Sequence, residues 1–248
     1  MLGLFAACAY VLASLTDAYE WLERWVVRYE KWQVDEFLLL LALLSTVLAA
    51  FAWRRWKEAN TEIARREELQ EELEHRATHD ALTGLPNRAL LMDRLEHAVE
   101  RAVRERVMIA VLFIDLDDFK YVNDAFGHEA GDGLLAQAAG RLKRCLRSAD
   151  TVSRIGGDEF VVVLESVEDA ERVAEVIGRI MEGLGAPFAL GRVEASVSAS
   201  IGVTFLDGAL VFDGVAEREA EEMVRAADRA MYRAKGEGGA RYEISDGR

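Results

Sequence analysis

The chain has 248 residues and carries 30 basic against 44 acidic side chains, a formal net charge of −14. With 51% hydrophobic residues and only two prolines it has ample material for a packed core, which excludes a disordered polymer; its acidic balance disfavours a nucleic-acid backbone as partner. Cys8 and Cys145 lack metal-ligand spacing and read as buried thiols in a reducing compartment.

The charge is unevenly spread. Residues 1–55 hold six acids and five bases, so the remaining 38 acids and 25 bases put almost all the negative charge downstream. Residues 2–15 form a first apolar run that fits a short span, an interfacial helix or a signal-like segment. Trp21, Trp25, Tyr29 and Trp32 follow at helical spacing among charges of both signs, as interfacial anchors do. Residues 37–53 are apolar apart from Ser45 and Thr46, and as a helix they reach roughly 25 Å, near the minimum for a bilayer core. Arg54, Arg55 and Lys57 follow at once and mark that end as cytoplasmic.

A charged helix is predicted from the end of this run to Ala77, with Trp56, Ala59, Ile63, Arg66, Gln70, Leu73 and Ala77 at the alternating spacing of a coiled-coil seam. The expected division is therefore a membrane module over 1–53, a helical stalk over 54–77 and a catalytic domain over 78–248.

In the last part a helix is predicted over 88–104, then a buried strand over 107–114, continuously apolar and rich in β-branched residues. The strand ends in Asp115-Leu116-Asp117-Asp118-Phe119-Lys120, and ligands of open α/β sheets bind at strand carboxyl ends. Asn123, Asp124, Gly127, His128, Gly131 and Asp132 form a polar, glycine-rich set before a helix-like stretch over 134–146. Arg154-Ile155-Gly156-Gly157-Asp158-Glu159-Phe160 then runs into Val161-Val162-Val163-Leu164, which describes a tight hairpin with acids at its tip. Adjacent carboxylates repel unless a positive group sits between them, and hard divalent cations prefer carboxylate oxygen. If the acidic strand end and the acidic hairpin pair as neighbours, they make a two-sided metal cradle suited to phosphoryl displacement. Beyond it the order reads strand 159–164, helix 167–184, strand 195–205, helix 217–235 and a short strand over 242–244. The fold class is α+β, a sheet layered by helices.

These landmarks occur in one register: Asp80-Ala81-Leu82-Thr83-Gly84-Leu85-Pro86-Asn87-Arg88, the Asp115 segment, Gly156 to Phe160, Ser198-Ala199-Ser200-Ile201-Gly202-Val203, and Ala227-Asp228-Arg229-Ala230-Met231-Tyr232-Arg233-Ala234-Lys235. Over 78–245 the chain resembles the GGDEF-type diguanylate cyclases, which join two GTP molecules into cyclic di-GMP. The resemblance implies a nucleotidyl-cyclase-like, ferredoxin-like sheet. It implies Mg²⁺, with Mn²⁺ as a substitute, on Asp115, Asp158, Glu159 and the Leu116 carbonyl, with Asp158 and Glu159 as the catalytic pair. Gly156 and Gly157 would admit the nucleotide, Lys120 and Lys235 would meet its phosphates, and Asn123 and Asp132 would read guanine. Arg147 and Asp150 match the spacing of the family's product-inhibition site for cyclic di-GMP. A homodimer through stalk and catalytic domain, held at the inner (cytoplasmic) membrane, is the implied assembly; the alternative is a non-catalytic receptor for cyclic di-GMP or GTP. One departure stands out. Gly239 and Ala240 replace the arginine and asparagine that the family commonly has there, and Arg241 is the nearest substitute.

Overall fold

The computed structural model describes residues 34–191, 193–210 and 216–245, together with 14, 17–21, 23–25 and 28. Cys8, Tyr29, Trp32 and the first apolar run, except Ser14, lie outside the described residues. The described residues before position 29 are helical, and Trp21 and Trp25 stack with ring centroids 6.3 Å apart.

Helix α1 (Val34–Thr78) runs unbroken for 45 residues through both the apolar run and the charged stretch. Its segment Glu36–Ile63 is long and apolar enough to cross a membrane, and Phe37, Leu39, Leu43 and Phe51 point outward from it. By contacts the chain forms two compact units, one ending at Gln70 and the other beginning at Glu71. The last helical turn belongs with the second unit because Asn87 binds it: Asn87 Nδ2 donates to the Ala77 carbonyl at 2.7 Å and its amide donates to the Thr78 carbonyl at 2.9 Å.

The second unit is a mixed five-stranded sheet between two layers of helices. Its elements in order are α2 (Arg88–Glu105), β1 (Met108–Leu116), α3 (Phe119–Phe126), α4 (His128–Cys145), β2 (Thr151–Gly156), β3 (Glu159–Val167), α5 (Ala170–Gly185), β4 (Phe188–Leu190), β5 (Val193–Ala195), β6 (Ala199–Asp207), α6 (Ala216–Gly236) and β7 (Tyr242–Ile244). The strands lie in the order β2-β3-β1-β6-β7, with only the β6–β7 pair parallel, and β4 and β5 form a separate hairpin.

Side chains on β1 alternate between the two helix layers, as the two-residue period of a strand requires. Ala110, Leu112 and Ile114 pack with Leu134, Leu142 and Ile177 of α4 and α5. Ile109, Val111 and Phe113 pack with Leu91, Leu95, Ala227 and Met231 of α2 and α6. Each such side chain withdrawn from water stabilises the unit by about 1.5–3 kcal/mol, so both faces anchor the central strand. Helix α6 lies so close to β6 that a Cβ on Gly202 would fall 1.9 Å from the Ala227 carbonyl oxygen.

Three local expectations are corrected. Residues 119–126 form a helix, α3, and α4 begins at His128 rather than near 134. The polar residues and glycines there are weak helix formers, but Val122, Leu134, Leu135 and Ala138 are buried and packing overrides propensity. The strand expected over 195–205 is two strands. The chain leaves its hairpin with β4 at Ala195 and joins β1 only at Ala199, because at Ser198 both the hydroxyl and the carbonyl are taken by Asp117.

Candidate active site

Strand parity and register assemble the acidic groups. Asp115 continues the Ile109, Val111, Phe113 series, so it faces the α2/α6 layer, and its partner across the antiparallel ladder is Glu159. Glu159 belongs to the same face as Val161 and Val163. Helix α6 crosses this face and brings Lys235 Nζ to 2.6 Å from Asp115 Oδ1. The β2–β3 turn supplies Asp158 at the same end of the sheet, where the Leu116 amide donates to the Asp158 carbonyl at 3.3 Å. The acidic strand end and the acidic hairpin therefore lie on adjacent strands at one end of the sheet.

Its electrostatics are unbalanced toward negative charge. Burial pushes the Asp115 carboxyl above its ordinary range; Lys235 opposes this, and the charges of Asp158 and Asp117 reinforce it. Glu159 is raised by burial, then by Asp115, Asp228 and Asp158. Burial works against the Lys235 ammonium, yet its hydrogen-bonding and charge contact with Asp115 and the nearby Asp158 and Asp117 outweigh it and raise its pKa. One ammonium thus serves several carboxylates, its closest contact being the 2.6 Å ion pair with the buried Asp115 Oδ1. An oxygen-rich, under-neutralised pocket of this kind suits a hard divalent cation. Among the described residues no three acidic, His or Cys side chains already form a metal cage. A hard divalent cation takes carboxylates together with water or substrate oxygen. Asp115, Asp158 and Glu159 are the side chains that could hold it.

The turn bearing Asp158 is held from outside. Gly157 has φ +50°, which a residue without Cβ adopts freely. Arg154 grips its carbonyl with Nε at 3.0 Å and Nη2 at 2.7 Å. The same guanidinium places Nη1 3.0 Å from both carboxylate oxygens of Asp80. Asp80 is itself locked by Thr83, whose amide and hydroxyl donate to Oδ1 at 2.8 and 2.6 Å. Sequence reasoning quoted Asp80 and Arg154 within motifs but gave neither a role. An acid beginning one motif and an arginine just before a glycine turn was the available signal.

Asp117 was also missed. It accepts from the Ser198 hydroxyl at 2.6 Å, the Ser200 hydroxyl at 2.7 Å and the Ala240 amide at 3.0 Å. It thereby ties the end of β1 to the start of β6 and to the loop after α6. Gly239 has φ +70°, and a Cβ there would sit 3.1 Å from the Asp117 carboxylate. Arg241 pairs with Glu237 in its own loop, and its carbonyl accepts from the Ile201 amide.

The remaining expected residues lie around this centre in different ways. Lys120 is exposed on α3, Asn123 half-buried on the same helix, and Asp132 exposed on α4. Asn123 rests against Gly131, the residue before Asp132. Arg147 and Asp150 stand before the start of β2, whereas Asp158 follows its end, so about 20 Å of strand separates them. There Asp150 accepts from the Arg147 amide at 2.9 Å and borders a surface pocket shared with Arg147, Glu165, Glu168 and Arg172. Cys145 is half-buried and burial raises its thiol pKa.

Comparison with known proteins agrees with this architecture. The family model described as diguanylate cyclase, GGDEF domain, matches residues 77–241. The chain is 41% identical over 201 residues to the bifunctional diguanylate cyclase/cyclic di-GMP phosphodiesterase MucR of Pseudomonas aeruginosa, covering 81% of this chain and 28% of MucR. It spans between 20% and 38% of the lengths of the first curated relatives it matches. The GGDEF domain structure of TpbB from the same organism covers 68% of this chain and 94% of its own, with TM-score 0.62 and 35% identity. The coiled coil and GGDEF domain of DgcB from Caulobacter crescentus, solved in complex with c-di-GMP, covers 77% and 97%, with TM-score 0.67 and 25% identity. By family match, identity and fold, this chain belongs to the GGDEF diguanylate cyclase family.

Proposed function

We propose that the protein is a membrane-anchored diguanylate cyclase that condenses two GTP molecules into cyclic di-GMP and two pyrophosphates. The observation that carries the reading is the meeting of Asp115, Asp158, Glu159 and Lys235 at one end of β1 and β3. Bound Mg²⁺ would neutralise phosphate charge and acidify the attacking hydroxyl. The protein's own groups do the rest. Lys235 and Lys120 hold the β and γ phosphates as point charges. The Gly156–Gly157 turn lets backbone approach the nucleotide. Asp158 accepts the proton of the ribose 3′ hydroxyl as its oxygen bonds to the α-phosphorus of the other GTP and pyrophosphate leaves. Asp132 and Asn123 hydrogen-bond the guanine edge, where adenine would set a lone pair against the Asp132 carboxylate.

One catalytic unit holds one GTP, and ring closure needs two bonds of the same kind, so the working form is a homodimer with half-sites opposed. The charged stretch of α1 supports pairing with a second copy. The apolar stretch with Arg54, Arg55 and Lys57 after it supports anchoring in the inner membrane with the catalytic unit in the cytoplasm. Product inhibition at Arg147 and Asp150 is supported by their spacing and by the pocket they border.

The test is to incubate the full chain in detergent with GTP and Mg²⁺ and identify products by mass. Cyclic di-GMP is expected, and Asp158→Ala should cut its formation by at least about 100-fold, since several kcal/mol of charge stabilisation is lost. GTP binding without turnover would place the chain among receptors instead.

A further inference from the structure

Gly131 sits in the first turns of α4, with its amide donating to the Gly127 carbonyl at 3.3 Å as helical backbone does. Its φ is not among the positive values of the chain, so conformation does not demand glycine there. Glycine weakens a helix relative to alanine, so its presence calls for a spatial reason. That reason is Asn123 on the neighbouring helix. A Cβ on Gly131 would fall 2.0 Å from Asn123 Oδ1, 2.9 Å from its Cγ and 3.3 Å from Cζ of Phe119. The first two separations are shorter than atoms in proteins tolerate, so Asn123 holds its present rotamer only because residue 131 has no side chain.

We propose that Gly131 is a positioning residue for nucleobase selection, its bare Cα receiving the Asn123 carboxamide and setting it beside Asp132. The inference rests on the reading that Asn123 and Asp132 bind guanine. The group that would clash is the free end of a flexible side chain, whereas the Gly131 backbone is ordinary helix. A methyl group at 131 is therefore absorbed by rotation of Asn123, and the fold survives while the carboxamide leaves its place. Phe119 Cζ, at 3.3 Å, need give only by a few tenths of an ångström, so the main effect of the substitution runs through Asn123 and little is left to disturb once Asn123 is shortened.

Full chain in detergent is compared as wild type, Gly131→Ala, Asn123→Ala and the double variant, by steady-state kinetics with GTP and ATP and by thermal melting. Gly131→Ala should lower kcat/KM for GTP by about 10- to 100-fold, mainly through KM, and narrow the GTP-to-ATP ratio. Its melting temperature should equal or exceed that of wild type. The double variant should match Asn123→Ala within about twofold, as two changes acting through one group do not add. If Asn123→Ala loses GTP preference and Gly131→Ala does not, the positioning role is wrong and the guanine reading stands. If Asn123→Ala changes neither KM nor the ratio, the guanine reading falls and takes the inference with it. A Gly131→Ala melting temperature well below wild type would also overturn it, because the methyl would then be straining the helix pair.

Discussion

Replacing Arg154 with alanine should destabilise the catalytic unit by about 2–3 kcal/mol and impair turnover further. The guanidinium makes two contacts to the Asp80 carboxylate and two to the Gly157 carbonyl, all between 2.7 and 3.0 Å. Its side chain is 12% exposed and that of Asp80 23%, so the pair is largely but not fully out of water. Breaking a fully buried pair by removing one partner costs about 3–5 kcal/mol. Here the cost is smaller, because residual solvent reaches Asp80 and because Thr83 keeps two donors on it after the arginine is gone. Urea unfolding of residues 71–248 gives the measurement, and at roughly 1–3 kcal/mol per molar denaturant the midpoint should fall by about 0.7–3 M. A double-mutant cycle with Asp80→Ala should return a coupling of about 1–2 kcal/mol. Activity should fall by more than the folded fraction explains, since the freed Gly157 carbonyl loosens the turn that aims Asp158. A stability loss under about 0.5 kcal/mol, or additivity in the cycle, would refute the clamp as a structural tie.

Burial works to raise the Asp80 carboxyl, but hydrogen bonds from Thr83 and then Arg154 outweigh it and hold the group below its ordinary value of 3.8. Its contribution is therefore present above that value and lost as pH falls through the folded one, so Asp80→Asn should flatten the acid limb of a stability-versus-pH curve. Arg141→Ala should cost about 2 kcal/mol in the same unfolding assay. Its guanidinium donates to the Gly183 carbonyl in the last turn of α5 and to the Ala186 and Pro187 carbonyls just after it, and lies 3.6 Å over the Phe188 ring. Arg147→Ala should leave the initial rate of synthesis within about twofold and raise the product plateau, because a product site there is coupled to the centre by about 5–150-fold rather than part of it. Progress curves with and without added cyclic di-GMP check this, and a wild-type rate indifferent to product would return Arg147 to an ordinary surface role.

Much of the centre was legible because its signals are local. An unbroken apolar run ending in Asp115 and a double glycine before Asp158 each announce themselves within ten residues. Their pairing followed from the sheet, and Asp115 does stand opposite Glu159. What was not legible depends on contacts between distant segments. Nothing in the neighbourhood of Asp117 says that Ser198, Ser200 and Ala240 will converge on it. The clamp between Asp80 and Arg154 joins residues separated by 74 positions. Helix α3 was hidden for a different reason: Asn123, Asp124 and Gly127 look like loop composition, and the burial of Val122, with Phe119 packed against the same core, holds the helix in place. The split between β5 and β6 was invisible because alternation continues smoothly across Ser196 to Ser198, while the hydrogen bonds change partner.

The antiparallel match of Asp115 with Glu159 has a consequence for quality control of the folded chain. A slip of one residue between β1 and β3 would turn Asp115 toward α4 and α5 and set Leu116 under α6. Such a molecule could remain compact and helical, yet the lysine of α6 would lose its direct partner Asp115. The acidic centre therefore assembles only in chains whose central ladder has zipped in the correct frame.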